Sequence, residues 1–91
     1  MTLVEYNELI DMLNHGHEFE FEYKGNSYYL EREEFEHILY EMSDDRSIIT
    51  EIKTFHGETV AERVENFVSE KIFNNNPFAH LYSEIEIVDV D

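Results

Sequence analysis

Ninety-one residues suffice for one small domain, residues 1–91, and a 42% apolar content with seven Phe and six Tyr supplies the burial it needs to fold without staples. Twenty-two Asp and Glu against six Lys and Arg leave a formal net charge of -16, a field that repels nucleic acid and anionic lipid. No cysteine is present, which excludes disulfides, thiolate metal sites and thiol nucleophiles and suits a reducing cytoplasm; no apolar run approaches the ~20 residues of a membrane span, and the acidic N-terminal segment is unlike a signal peptide.

Thr2 followed by Glu5 has the spacing of a capping box. Leu3, Tyr6, Leu9, Ile10 and Leu13 then recur at helical steps with Glu5, Glu8 and Asp11 opposite, which predicts an amphipathic helix stopped by Gly16. From His17 to Lys24 the period is two: Phe19, Phe21 and Tyr23 share one face of a strand, and Glu18, Glu20 and Glu22 share the other. Gly25-Asn26 reads as the hairpin turn into a second strand, Ser27-Tyr28-Tyr29-Leu30.

Residues 33–42 support two readings. Phe35, Ile38, Leu39 and Met42 fit a helical stripe, whereas Ile38, Tyr40 and Met42 fit strand alternation. The strand is preferred because Asp44-Asp45-Arg46 makes a turn and the β-branched run from Ser47 to Phe55 needs a partner. Gly57 and Glu58 open a second helix striped by Val60, Val64, Phe67, Val68 and Ile72, with Glu62, Arg63, Glu65, Glu70 and Lys71 on its wet side, and Asn74-Asn75-Asn76-Pro77 ends it. Asn76-Pro77 reads as a cap and first residue of a short helix carrying Phe78, Leu81 and Tyr82, and Glu84 to Ile87 alternate as a short final strand.

Assembled, the elements predict an α+β fold: an N-terminal helix, a four-stranded antiparallel sheet of two hairpins, and a C-terminal helix plus a short helix packed on one sheet face. With Phe19, Phe21, Tyr23, Tyr28, Leu30, Ile38 and Tyr40 turned to the helices, the bare face carries Glu18, Glu20, Glu22, Tyr29, Glu31, Glu33, His37, Leu39, Glu41, Glu51 and Lys53. The segments Tyr6 to Leu13, His17 to Leu30 and Pro77 to Ile87 resemble those of a family of small acidic proteins of unknown function from Gram-positive bacteria and their mobile elements. The resemblance implies the fold and no activity.

The candidate partner-binding residues are therefore Glu18, Glu20, Glu22, Tyr29, Glu31, Leu39 and Glu41, a carboxylate surface with Tyr29 and Leu39 as apolar anchors. They point to a non-enzymatic module that binds a basic protein, at the extreme an inhibitor or DNA-mimic-like partner of a basic nucleic-acid-processing protein. Same-face strand carboxylates recur every ~6.8 Å and phosphates every ~3.4 Å, so any mimicry belongs to the whole face and not to one strand. The alternative is a self-associating accessory domain, a homodimer through the same face or an edge strand.

No cofactor, metal or catalytic residue is assigned. His15 and His17 are turn neighbours without the converging ligand set that zinc requires. Glu33-Glu34 and Asp44-Asp45 are expected from composition alone, and neither a Gly-rich phosphate loop nor a nucleophile elbow is present, so the chain is read as no enzyme.

Overall fold

The computed structural model describes residues 4–91, so Thr2 of the expected capping box and Leu3 of the expected helical stripe lie outside the described residues. Glu5 is extended at the N-cap position of α1 (Tyr6–Asn14) and makes no side-chain cap bond, so it is not the third residue of a helix begun at Thr2. Leu9 and Leu13 are the buried residues of α1, and Gly16 follows its C-cap at φ +95°, the left-handed stop expected of it.

Five strands are formed among the described residues: β1 (Phe19–Tyr23), β2 (Asn26–Arg32), β3 (Glu36–Met42), β4 (Ile49–His56) and β5 (Glu86–Val90). They form one antiparallel sheet in the order β4-β3-β2-β1-β5. The final alternating segment thus becomes a fifth strand, and the aromatic-acid strand β1 sits inside the sheet, not at its edge. Tyr23 pairs with Asn26, so the first hairpin turns on Lys24 and Gly25, both at positive φ, one residue earlier than the Gly-Asn reading.

Helix α2 (Val60–Ser69) starts at Thr59, whose hydroxyl accepts the Glu62 N–H at 3.1 Å, while the Glu62 carboxylate accepts the Glu58 N–H at 3.0 Å. That reciprocal arrangement is a near capping box, and it places the start two residues later than Gly57. The helix ends at Ser69. Ile72 lies beyond it and packs on the core from a loop, and Asn74 and Asn75 take positive φ in a tight turn that pairs Phe73 with Asn76. Pro77 is the N-cap of α3 (Phe78–Leu81), which runs into a single 3-10 turn at Tyr82–Glu84.

The helices cover one sheet face. Phe19 and Phe21 stack at 4.9 Å, Phe78 meets Phe21 at 5.4 Å, and Phe67 of α2 contacts Phe78 at 4.9 Å and Phe55 at 5.6 Å. Offset and edge contacts of this kind add to the burial of the rings themselves. Leu9, Leu13, Leu30, Leu39, Val64, Leu81 and Ile87 complete the same core.

Strand β3 has the opposite orientation to the one its composition suggests. Leu30 pairs with Leu39 and Arg32 with His37, so His37, Leu39 and Glu41 share the helix side with Phe21, Tyr28 and Leu30. Ile38, Tyr40 and Met42 face away. The tight turn between β2 and β3, closed by Glu33 N–H to Glu36 C=O at 2.7 Å, sets a pairing in which even-numbered β2 residues oppose odd-numbered β3 residues. A one-residue change of register exchanges the faces of a whole strand.

Arg63 supports that orientation from α2. Its guanidinium donates to the Glu33 carbonyl at 3.1 Å and reaches Nδ1 of His37 at 3.5 Å, and both side chains are buried. Because a guanidinium only donates, Nδ1 is the acceptor and the proton of the neutral imidazole sits on Nε2, which has no hydrogen-bond partner among the described residues. Burial first, then the positive charges of Arg63 and Arg32, hold the His37 pKa down at about 4.

Candidate functional site

The face without helices is a grid whose rows follow from strand register. One row runs Glu51, Tyr40, Tyr29, Glu20, Asp89, and the next runs Ile49, Met42, Ser27, Glu22, Glu86. On the other side lies Thr54, Ile38, Glu31, with Glu18 just before β1. Side chains directly opposite across strands sit ~5 Å apart. Tyr29, Ile38, Tyr40, Met42 and Ile49 therefore form one contiguous apolar centre, and Glu18, Glu20, Glu22, Glu31, Glu36, Glu51, Glu86 and Asp89 surround it.

A depression of about 460 Å³ opens in this centre, lined by Glu20, Tyr29, Glu31, Tyr40, Met42 and Ile49. Its aromatic walls differ in character. Tyr29 donates its hydroxyl to Glu18 Oε1 at 2.7 Å, and burial together with that bond and the charges of Glu18, Asp91 and Glu31 raises its pKa strongly, so it stays a neutral donor. Tyr40 is half-buried and bears the negative fields of Glu31, Glu51, Glu33 and Glu36.

Glu18, just before β1, and Glu20 and Glu22 within it have three separate roles. Glu18 is structural: beyond Tyr29, its second oxygen accepts the Arg32 backbone N–H at 2.9 Å. Glu20 is paired with Arg46, which reaches it from the β3–β4 hairpin, two strands away. Glu22 alone of the three is exposed. Glu31 shares a hydrogen bond with Glu33, and that bond, burial and the charges of Glu33 and Glu18 push its carboxyl up to about 7.

Two expected site residues lie elsewhere. Leu39 is 0% exposed in the core and Glu41 stands on the helix side beside Tyr28, because the register of β3 inverts their faces. His37 and Lys53 are likewise on the helix side, Lys53 bound to Glu70 at 2.5 Å, and Glu33 belongs to a turn. In their place come Ile38, Tyr40, Met42 and Ile49. The carboxylates are also less concentrated than expected: with Asp91, the cross-strand partner of Glu18, nine of the 22 acids are on this face, and others line α1 (Glu8, Asp11) and α2 (Glu62, Glu65). Charge is spread over the molecule; the apolar centre is what singles this face out.

His15 and His17 do not converge. His15 Nδ1 donates to the Asp11 carbonyl at 2.7 Å and His17 Nδ1 to the Asp91 backbone oxygen at 2.6 Å. Among the described residues no helix is long and apolar enough to cross a membrane. Comparison with known proteins yields no matching family model, no matching curated protein and no matching solved structure.

Proposed function

We propose that the protein is a binding module whose open sheet face docks a basic protein. One observation carries this reading: β3 turns its more apolar set, Ile38, Tyr40 and Met42, outward and keeps His37, Leu39 and Glu41 inside. A sequence that breaks its own hydrophobic pattern does so most often where function requires it. An apolar centre with aromatic anchors inside a charged rim is the anatomy of a protein interface, and the sign of the rim selects a cationic partner.

The apolar centre also favours a protein surface over step-by-step mimicry of a phosphate backbone, which offers charge and no comparable patch. An inhibitor of a basic nucleic-acid-processing protein remains the sharpest form of the proposal. The test is a graded-salt pull-down comparing the natural chain with Tyr40→Ala and with Glu22→Gln/Glu31→Gln. A basic protein retained by the natural chain, lost from Tyr40→Ala and released at lower salt from the carboxylate variant supports the reading. Equal recovery by all three refutes it.

A second reading rests on exposed Phe35, Ile48, Ile49 and Ile52, which lie at the edge strand β4 and the adjoining hairpin ends and suit self-association. Salt separates the two. Attraction to a basic partner weakens as salt rises, whereas association of like-charged copies strengthens, which light scattering reads directly.

A further inference from the structure

The face proposed above as a docking surface already holds one cation of the chain itself. Arg46 sits at the tip of the β3–β4 hairpin at φ +60° and pairs with Glu20, a wall of the central depression. The hairpin is built to present it. Asp45 Oδ1 accepts the Ser43 hydroxyl at 2.9 Å, the Ser47 N–H at 3.0 Å and the Ser47 hydroxyl at 2.6 Å, and the Ser43 hydroxyl accepts the Ile48 N–H at 3.0 Å. These bonds hold the Asp45 carboxyl down at about 2, so the loop keeps its shape throughout the neutral range.

We infer that the depression is an arginine receptor: a guanidinium of the basic partner enters between Glu20 and Glu31 against Tyr29 and Tyr40, and the chain's own Arg46 competes for the same carboxylate. This rests on the docking role proposed for the face and names the side chain recognised and its internal competitor. The chemistry favours arginine over lysine. A planar, weakly hydrated guanidinium stacks on tyrosine faces and satisfies separated carboxylates through a fork of donors, whereas a lysine ammonium is a compact, strongly hydrated point charge. Met42 and Ile49 accommodate the aliphatic stem.

Glu31 adds a proton linkage. It is faced by Glu18 just before β1, Tyr40 from β3 and Glu33 from the turn, and its hydrogen bond with Glu33, burial and the negative charges of Glu33 and Glu18 hold its proton near neutrality. An arriving guanidinium supplies the offset and releases the proton, so affinity rises from about pH 6 to about pH 8.

The experiment measures fluorescence anisotropy of a short labelled glycine-arginine peptide and its glycine-lysine counterpart at low ionic strength. Arg46→Ala is expected to bind the arginine peptide about twofold to fivefold more tightly, the worth of one exposed ion pair removed from competition. Lys71→Ala, which makes the same change in net charge at an exposed position off the face, is expected to leave affinity unchanged. Tyr40→Ala is expected to weaken binding and to abolish the preference for arginine. Equal affinities of Arg46→Ala and the natural chain, or of the two peptides, overturn the receptor while a loss in Tyr40→Ala still upholds the face. Binding that none of the three substitutions alters overturns both.

Discussion

Acidification offers a quantitative test of the packing that turns β3 over. His37 has an unfolded pKa near 6.5 and is held at about 4 in the folded protein. Between those values the unfolded chain binds a proton that the folded chain refuses, so this contribution is fully present above pH ~6.5 and is lost as pH falls through about 4. The difference is worth about 3 kcal/mol in full, most of it gone by pH ~4.5. Glu31 works in the opposite sense: its raised folded pKa of about 7 makes the folded state the tighter proton binder, and stability is gained as pH falls from about 7 towards about 4.5. Urea midpoints across this range, for the natural chain and for His37→Phe, isolate the histidine contribution, since Glu31 and the overall charge are common to both. The stability of the natural chain is expected to fall relative to His37→Phe by about 2 to 3 kcal/mol between pH ~7 and pH ~4.5. Parallel curves would show that His37 is not buried against Arg63, and the orientation of β3 would fall with it.

Neighbouring residues of β3 provide a second test. Leu39→Ala is expected to cost ~2 to 5 kcal/mol, as for a fully buried leucine, while Tyr40→Ala costs under ~1 kcal/mol; the reverse order in denaturant titrations would restore the opposite face assignment. Thr59→Ala removes the hydroxyl that caps α2 and is expected to cost ~1 kcal/mol in the same assay, whereas an unchanged midpoint would place the cap elsewhere. With a net charge of -16, the melting temperature is expected to rise from dilute buffer to moderate salt as self-repulsion is screened, and an unchanged or lower midpoint in calorimetry would contradict this.

Local pattern was enough to read most elements, and long-range pairing decided the rest. The aromatic-acid alternation of β1 and the apolar stripes of α1 and α2 are signals contained within a few turns or one strand, and each places its buried face as expected, except that Ile72 falls beyond α2 and Arg63, expected on its wet side, is buried beside His37. The position of β5 beside β1 depends on a chain reversal through α3 that no short window contains. The face of β3 depends on one residue of register in the turn at residues 33–35, and composition argued for the wrong choice because Ile38, Tyr40 and Met42 outweigh His37, Leu39 and Glu41. The same inversion explains why Tyr29 and the β1 carboxylates were legible as surface residues while the apolar centre beside them was not. The turn register sets that inversion, and the contact of buried Arg63 with His37, 26 residues apart in the chain, supports it.

The role of the open face is tested most directly by mapping amide shifts of the ¹⁵N-labelled protein on titration with the glycine-arginine peptide. The account predicts changes concentrated at Tyr29, Glu31, Ile38, Tyr40 and Met42. Changes of equal size at Glu8, Asp11, Glu62 and Glu65 on the helices would show that the peptide follows charge alone, and the sheet face would have no claim to be the docking surface.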